Sequence, residues 1–209
     1  IVRAFIDTEP RVVGGRYIPI QVIYEGTPAL AAYMALKKMS KKQFSLIIFG
    51  APDAESIAAR KIAKQKYLFT GTATVDGVPC HAGNAYLANG CVYDDDADIG
   101  QGIFPNVVLF ECGIDAYRYD EDVIHTCDHH NPGDHGYWLP AEKYWEASSI
   151  GQLCDLLDIE PTQELLLIAA NDHCPVNAYK GQCPGITVEE FEKKKKNLLA
   201  ETHKITHQE

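Results

Sequence analysis

The sequence lacks the features of several classes of protein. No apolar run reaches the roughly 20 residues that a membrane-spanning helix needs. Residues 1–7 lack the apolar region and the small-residue cleavage site of a secretory signal peptide. The cysteines number 7 and are never spaced C-x-x-C, which argues against a disulfide framework and against a structural zinc knot. We therefore expect a cytoplasmic protein with reduced thiols and no membrane partner.

Positive charge suited to duplex nucleic acid is also scarce. The formal net charge is −10, and residues 94–142 hold twelve Asp and Glu residues against Arg118 alone. Residues 37–66 are rich in lysine but form no broad basic surface. Such an acidic segment repels phosphate groups unless bound cations invert the local field. The charge pattern therefore argues against duplex nucleic acid and leaves a small phosphorylated ligand as the expected partner.

Apolar strands alternate with amphipathic helices, a pattern that predicts an α/β fold. We expect a mainly parallel sheet flanked by helices in a single domain over residues 1–209. Residues 68–106 are expected to form hairpins or an excursion from the sheet. The predicted strands are 18–24, 44–49, 107–113 and 123–127, and the predicted helices are 28–39, 53–63, 149–158, 161–170 and 187–204.

Acids and imidazoles recur where the predicted strands end. In an open parallel sheet, ligands bind in the crevice outside the carboxyl ends of the strands. An ionised glutamate at the end of a buried strand is costly unless it is paired or bound to metal. Carboxylates completed by histidine suit Mn²⁺ and related ions. The pattern predicts a metal site at these strand ends, where Asp53 with Glu55, Glu111, His129 with His130, and Asp172 are the candidate residues.

The stretch Asp128-His129-His130 is the centre of this prediction. Neutral imidazoles are common metal ligands, and a neighbouring carboxylate can orient the second ring nitrogen. An Asn-Pro-Gly-Asp turn beginning at Asn131 follows. An alternative interpretation is a turn that is merely polar.

Two further segments are candidates for substrate contacts. Ser149 and Gln152 fit a capping box, which places Ser148 and Ser149 at a helix N-terminus where free N–H groups favour anions. The alternative, that these serines only cap the helix, stays open. Residues 173–185 are predicted to form a loop in which Lys180 supplies positive charge, or which only ties the terminal helix down.

Over residues 44–173 the chain resembles the DHH phosphoesterase superfamily, which includes RecJ-type exonucleases, oligoribonucleases and cyclic-dinucleotide phosphodiesterases. Asp128-His129-His130 is similar to the namesake motif. Asp53 and Glu55 resemble the first motif, an Asp-x-Asp that opens a helix. Glu111 stands in place of the acid in the second motif, Ser148-Ser149 resemble the fourth, and Asp172 ends an apolar run as a further metal-binding Asp does.

The resemblance implies a DHH-like domain that hydrolyses a small phosphodiester or phosphomonoester with two Mn²⁺ (or Mg²⁺) ions. Glu111 would bridge the ions and Asp53 would hold one, while Glu55, His129 and Asp172 would hold the other. Asp128 would orient a histidine, and His130 would contact the phosphate or the leaving oxygen. The substrate contacts would come from Ser148, Ser149, Asn131 and Lys180.

The chain departs from the family pattern at several positions. Phe49 or Gly50 stands where the family has a metal-binding His, and two Asp ligands appear as Glu55 and Glu111. A clear second domain with a Gly-rich substrate motif is also missing. These departures support an alternative, a catalytically degenerate DHH-fold protein that binds a nucleotide or another ligand. A further alternative is a single zinc site drawing on Cys80, His81, His173 or Cys174.

Overall fold

The computed structural model describes two compact units of the chain. One unit comprises residues 1–50 and 66–125, and the other comprises residues 51–65 and 126–209. In the part of the chain that is described, no helix has the length and apolar character to cross a membrane. The single-domain organisation stays a prediction. The described residues are 4–6, 12–13, 16–17, 22–24, 46–94, 106–114 and 124–196, so the predicted helix 28–39 lies outside them.

The strands belong to the first unit, except that the last strand crosses its boundary. The described residues form three sheets: a sheet of six strands in the order β10-β9-β5-β6-β7, with β8 also paired to β6, and the pairs β1–β4 and β2–β3. The strands are β1 (Ala4–Ile6), β2 (Val12–Val13), β3 (Arg16–Tyr17), β4 (Val22–Tyr24), β5 (Leu46–Phe49), β6 (Phe69–Val75), β7 (Val78–Pro79), β8 (Gly90–Tyr93), β9 (Val107–Phe110) and β10 (Ile124–Cys127).

The six-stranded sheet is mixed rather than mainly parallel. Strand β5 runs parallel to β6 and β9, whereas β7 and β8 pair with β6 in the antiparallel sense. The reversal after β6 comes from a two-residue turn with φ of 52° at Asp76 and 82° at Gly77. Positive φ at both central residues is the type I′ hairpin turn, whose twist matches that of the strands. The α/β class is therefore confirmed, and residues 68–94 form hairpins as expected.

Strands β5 and β9 lie at the centre of the sheet and are buried along their whole length. All four residues of β5 are 0% exposed, and those of β9 are at most 4% exposed. Continuous apolar runs of this kind are typical of strands covered on both faces. Gly50 directly follows β5 and packs against the backbone that follows β9. A Cβ at Gly50 would lie 2.1 Å from the Glu111 carbonyl oxygen.

The α-helices that the structure describes lie in the second unit, where α1 packs against α3 and α4, and α2 packs against the same two helices. A short 3₁₀ helix, Ala141–Lys143, precedes α2. The helices are α1 (Ala54–Gln65), α2 (Tyr144–Ala147), α3 (Ser149–Leu156), α4 (Gln163–His173), α5 (Pro175–Tyr179) and α6 (188–196).

Three helix predictions need correction. The N-cap of α3 is Ser148 rather than Ser149, and its hydroxyl accepts a hydrogen bond from Gly151 N. Helix α4 continues three residues beyond the predicted end at Ala170, so Asp172 lies in the last turn of a helix and not at a strand end. The predicted loop 173–185 contains α5, because Pro175 at the first helical position has its φ preset for a helix. The terminal helix is confirmed over 188–196, and its predicted continuation lies outside the described ranges.

Candidate metal centre

The segment that follows β10 is fixed by one side chain from α3. Gln152 Oε1 accepts a hydrogen bond from Asp128 N at 3.1 Å, and Gln152 Nε2 donates to Asp128 O at 2.9 Å and to Ala147 O at 2.8 Å. Gln152 is 9% exposed. A buried amide that satisfies three backbone groups holds the chain in one position, because breaking any of these bonds leaves a polar group desolvated.

The Asp128 carboxylate orients the two residues that follow it. Asp128 is 2% exposed, and its Oδ1 accepts hydrogen bonds from His129 N at 2.7 Å and His130 N at 3.1 Å. His130 Nδ1 lies 2.9 Å from the same oxygen. The backbone donors compensate for burial of the carboxylate. The contact with Asp128 holds the His130 ring at Nδ1. The His130 side chain is 47% exposed, so the rest of the ring reaches solvent. The predicted role of Asp128 in orienting a histidine requires a contact of this kind, and the role itself stays a prediction.

His129 is buried between two side chains of α4. Its side chain is 6% exposed, and its Nε2 lies 2.8 Å from Asp172 Oδ2. On the other side of the ring, His129 Nδ1 lies 3.0 Å from His173 Nδ1. Asp172 Oδ2 is buried and has no hydrogen bond within the described part of the chain, so its contact with His129 lacks hydrogen-bond geometry. The two atoms instead converge as two ligands of one cation do.

The last turn of α4 supplies both Asp172 and His173. His173 Nε2 lies 2.8 Å from the carbonyl oxygen of Leu139. Burial lowers the pKa of His173 and the nearby His129 lowers it further, while the hydrogen bond to Leu139 and the charge of Asp172 raise it. The net effect favours the neutral imidazole. Sequence reasoning considered His173 only for a zinc site, although its position next to Asp172 was visible.

Glu55 approaches from the first turn of α1. It is 1% exposed, and its Oε1 accepts a hydrogen bond from Ile150 N at 3.0 Å. Ile150 lies in the first turn of α3, where the partial positive charge of a helix N-terminus stabilises a carboxylate. This contact makes the ionised form of a buried glutamate tolerable.

Three of the predicted metal ligands therefore come together within the second unit. Glu55, His129 and Asp172 each offer a ligand atom, and these atoms all lie within 4.8 Å of one another. Two carboxylates and one imidazole form a mixed oxygen and nitrogen set that suits divalent transition ions. With three protein ligands, an ion would keep coordination positions for water or substrate.

Asp53 has a different place in the structure. Its Oδ1 accepts a hydrogen bond from Ser56 N at 2.7 Å, and its own N donates to Ser56 Oγ at 3.0 Å. This reciprocal pair caps the N-terminus of α1. Asp53 does not belong to the group of converging ligand atoms. Its metal role stays a prediction, beside an observed role as a cap.

Glu111 belongs to the first unit, directly after β9. It is 5% exposed and has a φ of 52°, a left-handed conformation that is uncommon for a residue with a side chain. Strained backbone of this kind is concentrated at functional sites, where surrounding contacts hold it in place. The bridging role predicted for Glu111 stays a prediction.

The serines at the start of α3 are buried, and the nearby amides are already engaged. Ser148 Oγ donates to Trp145 O at 3.1 Å and accepts from Gly151 N at 3.1 Å. Ile150 N is bound to Glu55. The anion at this helix N-terminus is thus the Glu55 carboxylate of the same unit. The geometry favours the interpretation that Ser148 only caps the helix. The hydroxyl of Ser149 is buried and makes no hydrogen bond to any described residue.

The other predicted substrate contacts lie on the surface. Asn131 is exposed, and its N donates to Asp134 Oδ2 at 2.6 Å, which confirms the predicted turn. Lys180 is exposed and follows α5. Neither has a contact that indicates a ligand.

The predicted alternative of a zinc site receives no geometric support from the described residues. Cys80 and His81 belong to the first unit, whereas His173 and Cys174 belong to the second. Cys174 Sγ lies 3.1 Å from Cys183 Sγ, and both thiols are free. None of the described groups of three or more converging ligand atoms includes a cysteine.

No protein-family model, curated protein or solved structure matches this chain.

Proposed function

We propose that the protein is a metal-dependent phosphoesterase in which Glu55, His129 and Asp172 bind a divalent cation such as Mn²⁺ or Mg²⁺. The observation that carries the proposal is the convergence of three ligand atoms within 4.8 Å, from α1, from the segment after β10 and from α4. These residues lie far apart in the sequence, and each is held by its own helix or hydrogen bonds.

The charge of the group supports a cation. Glu55 and Asp172 bring two carboxylates next to the imidazole of His129, and taking ionised carboxylates out of water is costly. A divalent cation would balance the two carboxylates.

The Asp128–His130 pair supports proton transfer beside the metal ligands. Asp128 Oδ1 contacts His130 Nδ1, and the half-exposed ring reaches solvent, where its Nε2 would carry a proton to or from a bound molecule. A carboxylate that fixes the orientation and tautomer of a catalytic imidazole is a recurrent device in hydrolases. When bound, the metal would supply Lewis acidity to a phosphoryl oxygen and to the attacking water.

The proposed substrate is a small phosphodiester or phosphomonoester, such as a short oligonucleotide or a nucleotide. A net charge of −10 disfavours long polyanions, whereas a cation gives one phosphate group a local attraction. The resemblance to DHH phosphoesterases is one of the grounds for this proposed substrate class. A second ion, with Glu111 as bridge and Asp53 as a further ligand, stays part of the prediction.

Calorimetric Mn²⁺ titration and hydrolysis of bis(p-nitrophenyl) phosphate test the proposal together. We expect the wild type to bind Mn²⁺ and to hydrolyse the diester, and Asp172→Asn to lose both. Asp155→Asn is the matched control, because Asp155 is an exposed aspartate of the same unit. Equal Mn²⁺ affinity in the wild type and Asp172→Asn would contradict the metal assignment.

One observation favours the alternative, a ligand-binding protein without catalysis. The helix amides that the family resemblance assigns to phosphate already bind Glu55 and Ser148. Mn²⁺ binding without diester hydrolysis, with a nucleotide retained intact through purification, would support this alternative over the enzyme.

A further inference from the structure

The two neighbouring imidazoles of His129 and His173 determine each other's proton positions. A chain of contacts runs from the Leu139 carbonyl oxygen to His173 Nε2 at 2.8 Å, and from His173 Nδ1 to His129 Nδ1 at 3.0 Å. It ends at His129 Nε2, which lies 2.8 Å from Asp172 Oδ2. The first two contacts are hydrogen bonds that each need one donor and one acceptor, so the hydrogen on His173 fixes the position of the hydrogen on His129.

The fixed end is the Leu139 carbonyl, which can only accept a hydrogen bond. His173 Nε2 must therefore carry a hydrogen and donate it. In a neutral imidazole only one nitrogen carries hydrogen, so His173 Nδ1 is an acceptor. The hydrogen between the two rings then belongs to His129 Nδ1, and a His129 ring with one hydrogen has its lone pair on Nε2.

The other end of the chain agrees with this assignment. If His129 Nε2 carried a hydrogen, a neighbouring carboxylate oxygen at 2.8 Å would be expected to accept it. Asp172 Oδ2 instead has no hydrogen-bond partner among the residues the structure describes. A lone pair and a carboxylate oxygen side by side are what a cation requires of two ligands.

We infer that His173 is a positioning residue, whose Nδ1 accepts the Nδ1–H of His129 and so holds His129 in the tautomer that presents its Nε2 lone pair to the metal site. The metal part of this inference rests on the proposed function, whereas the tautomer rests on the contacts alone. Partners of metal-binding histidines are usually carboxylates, backbone carbonyls or water. Here a second imidazole takes that place and passes the hydrogen bond on to the Leu139 carbonyl.

Long-range proton–nitrogen NMR correlation of the metal-free protein tests the tautomer directly. At about pH 8, where an ordinary imidazole is neutral, we expect the ring of His129 to carry its hydrogen on Nδ1 in the wild type. In His173→Phe, which removes the acceptor, we expect a mixture of tautomers or the Nε2–H form. An Nε2–H tautomer in the wild type would overturn the inference, as would an unchanged spectrum in His173→Phe.

Mn²⁺ affinity tests the consequence for the metal site. We expect His173→Phe to bind Mn²⁺ about 10–100-fold more weakly, as is usual when the partner of a metal-binding histidine is removed. His173→Asn should stay close to the wild type, because its amide oxygen can take the place of Nδ1 as acceptor. His173→Gln should bind Mn²⁺ more weakly than the wild type, since its longer side chain places the amide at the position of Nε2 and not at that of Nδ1.

His135→Phe is the matched control, because His135 is exposed in the same unit. Equal losses in His173→Phe and His173→Asn would show a general packing effect and overturn the positioning role. Failure of the wild type to bind Mn²⁺ would remove the proposed function, and the NMR spectrum would then decide the tautomer independently.

Discussion

Two helix N-termini in the second unit each bind a carboxylate, and they differ in where that carboxylate comes from. At α1 the partner is local: Asp53 accepts a hydrogen bond from Ser56 N, three residues along the chain. At α3 the partner is distant: Glu55 accepts from Ile150 N, 95 residues away in sequence. Asp53 is partly exposed, whereas Glu55 is 1% exposed.

The difference separates a structural carboxylate from a candidate ligand. A local capping carboxylate stabilises its own helix by accepting a hydrogen bond from one free amide. It needs no further partner. Burying a carboxylate that comes from another helix costs desolvation. The local contact explains the place of Asp53, whereas Glu55 lies beside His129 and Asp172 and is the proposed metal ligand.

The largest expected effect comes from neutralising the distant carboxylate. Glu55→Gln keeps an oxygen that can accept from Ile150 N but loses the charge, so we expect Mn²⁺ affinity to fall by more than the roughly 100-fold that loss of an outer partner costs. Asp53→Asn is the comparison, because Asn caps helices as well as Asp. Calorimetry should show little change for Asp53→Asn. A comparable loss in both would mean that Asp53 also binds metal, as the family resemblance implies.

Removal of Gln152 tests whether other distant polar contacts in this unit carry stability. Gln152→Leu leaves Asp128 N, Asp128 O and Ala147 O without their partner. We expect the free energy of unfolding to fall by about 1–3 kcal/mol, measured by urea denaturation. A fall no greater than that of an exposed substitution such as Glu146→Gln would show that Asp128 is held in place by other means.

Loss of the local cap should have a smaller effect. Asp53→Ala removes the acceptor for Ser56 N, and we expect about 1 kcal/mol of destabilisation in urea. Asp53→Asn should restore it. A loss that Asn does not restore would show that the charge, rather than the hydrogen bond, is what α1 requires.

The smallest effect belongs to a contact that is distant in sequence but exposed. Lys194 Nζ lies 2.8 Å from Glu164 Oε1, and the hydrogen bond and charge of Lys194 lower the pKa of Glu164. A lowered carboxyl pKa stabilises the fold at neutral pH and loses this effect as pH falls through the lowered value. Because Glu164 is 64% exposed, Lys194→Met should cost at most about 0.5 kcal/mol at neutral pH. The cost should vanish in acid. A larger, pH-independent loss would point to packing of the Lys194 side chain.

Sequence reasoning succeeded where the determining interactions are local. The apolar runs that became β5, β9 and β10 were visible, as was the turn after Asn131. The predicted N-cap of α3, Ser149, is one residue after the observed one, because Ser148 and Ser149 offer the same chemistry. The type I′ turn at Asp76-Gly77 explains why the sheet is mixed, and its Asp-Gly signal was present in the sequence but not used.

The candidate site was predicted in part, and for a partly incorrect reason. Glu55, His129 and Asp172 come together as expected, but Asp172 lies in the last turn of α4 and not at a strand end. The contacts of Glu55 with Ile150 and of Gln152 with Asp128 could not be foreseen from the sequence. Each joins residues that are far apart in the chain and meet only when it is folded. His173 was overlooked as a partner of His129 for the same reason.

The most direct test of the central claim is the position of Mn²⁺ in crystals grown with MnCl₂, located by anomalous scattering. The account predicts one ion bonded to Glu55, His129 and Asp172, with His129 coordinating through Nε2. An ion bound elsewhere, or none at these three residues with Mn²⁺ in excess, would contradict it.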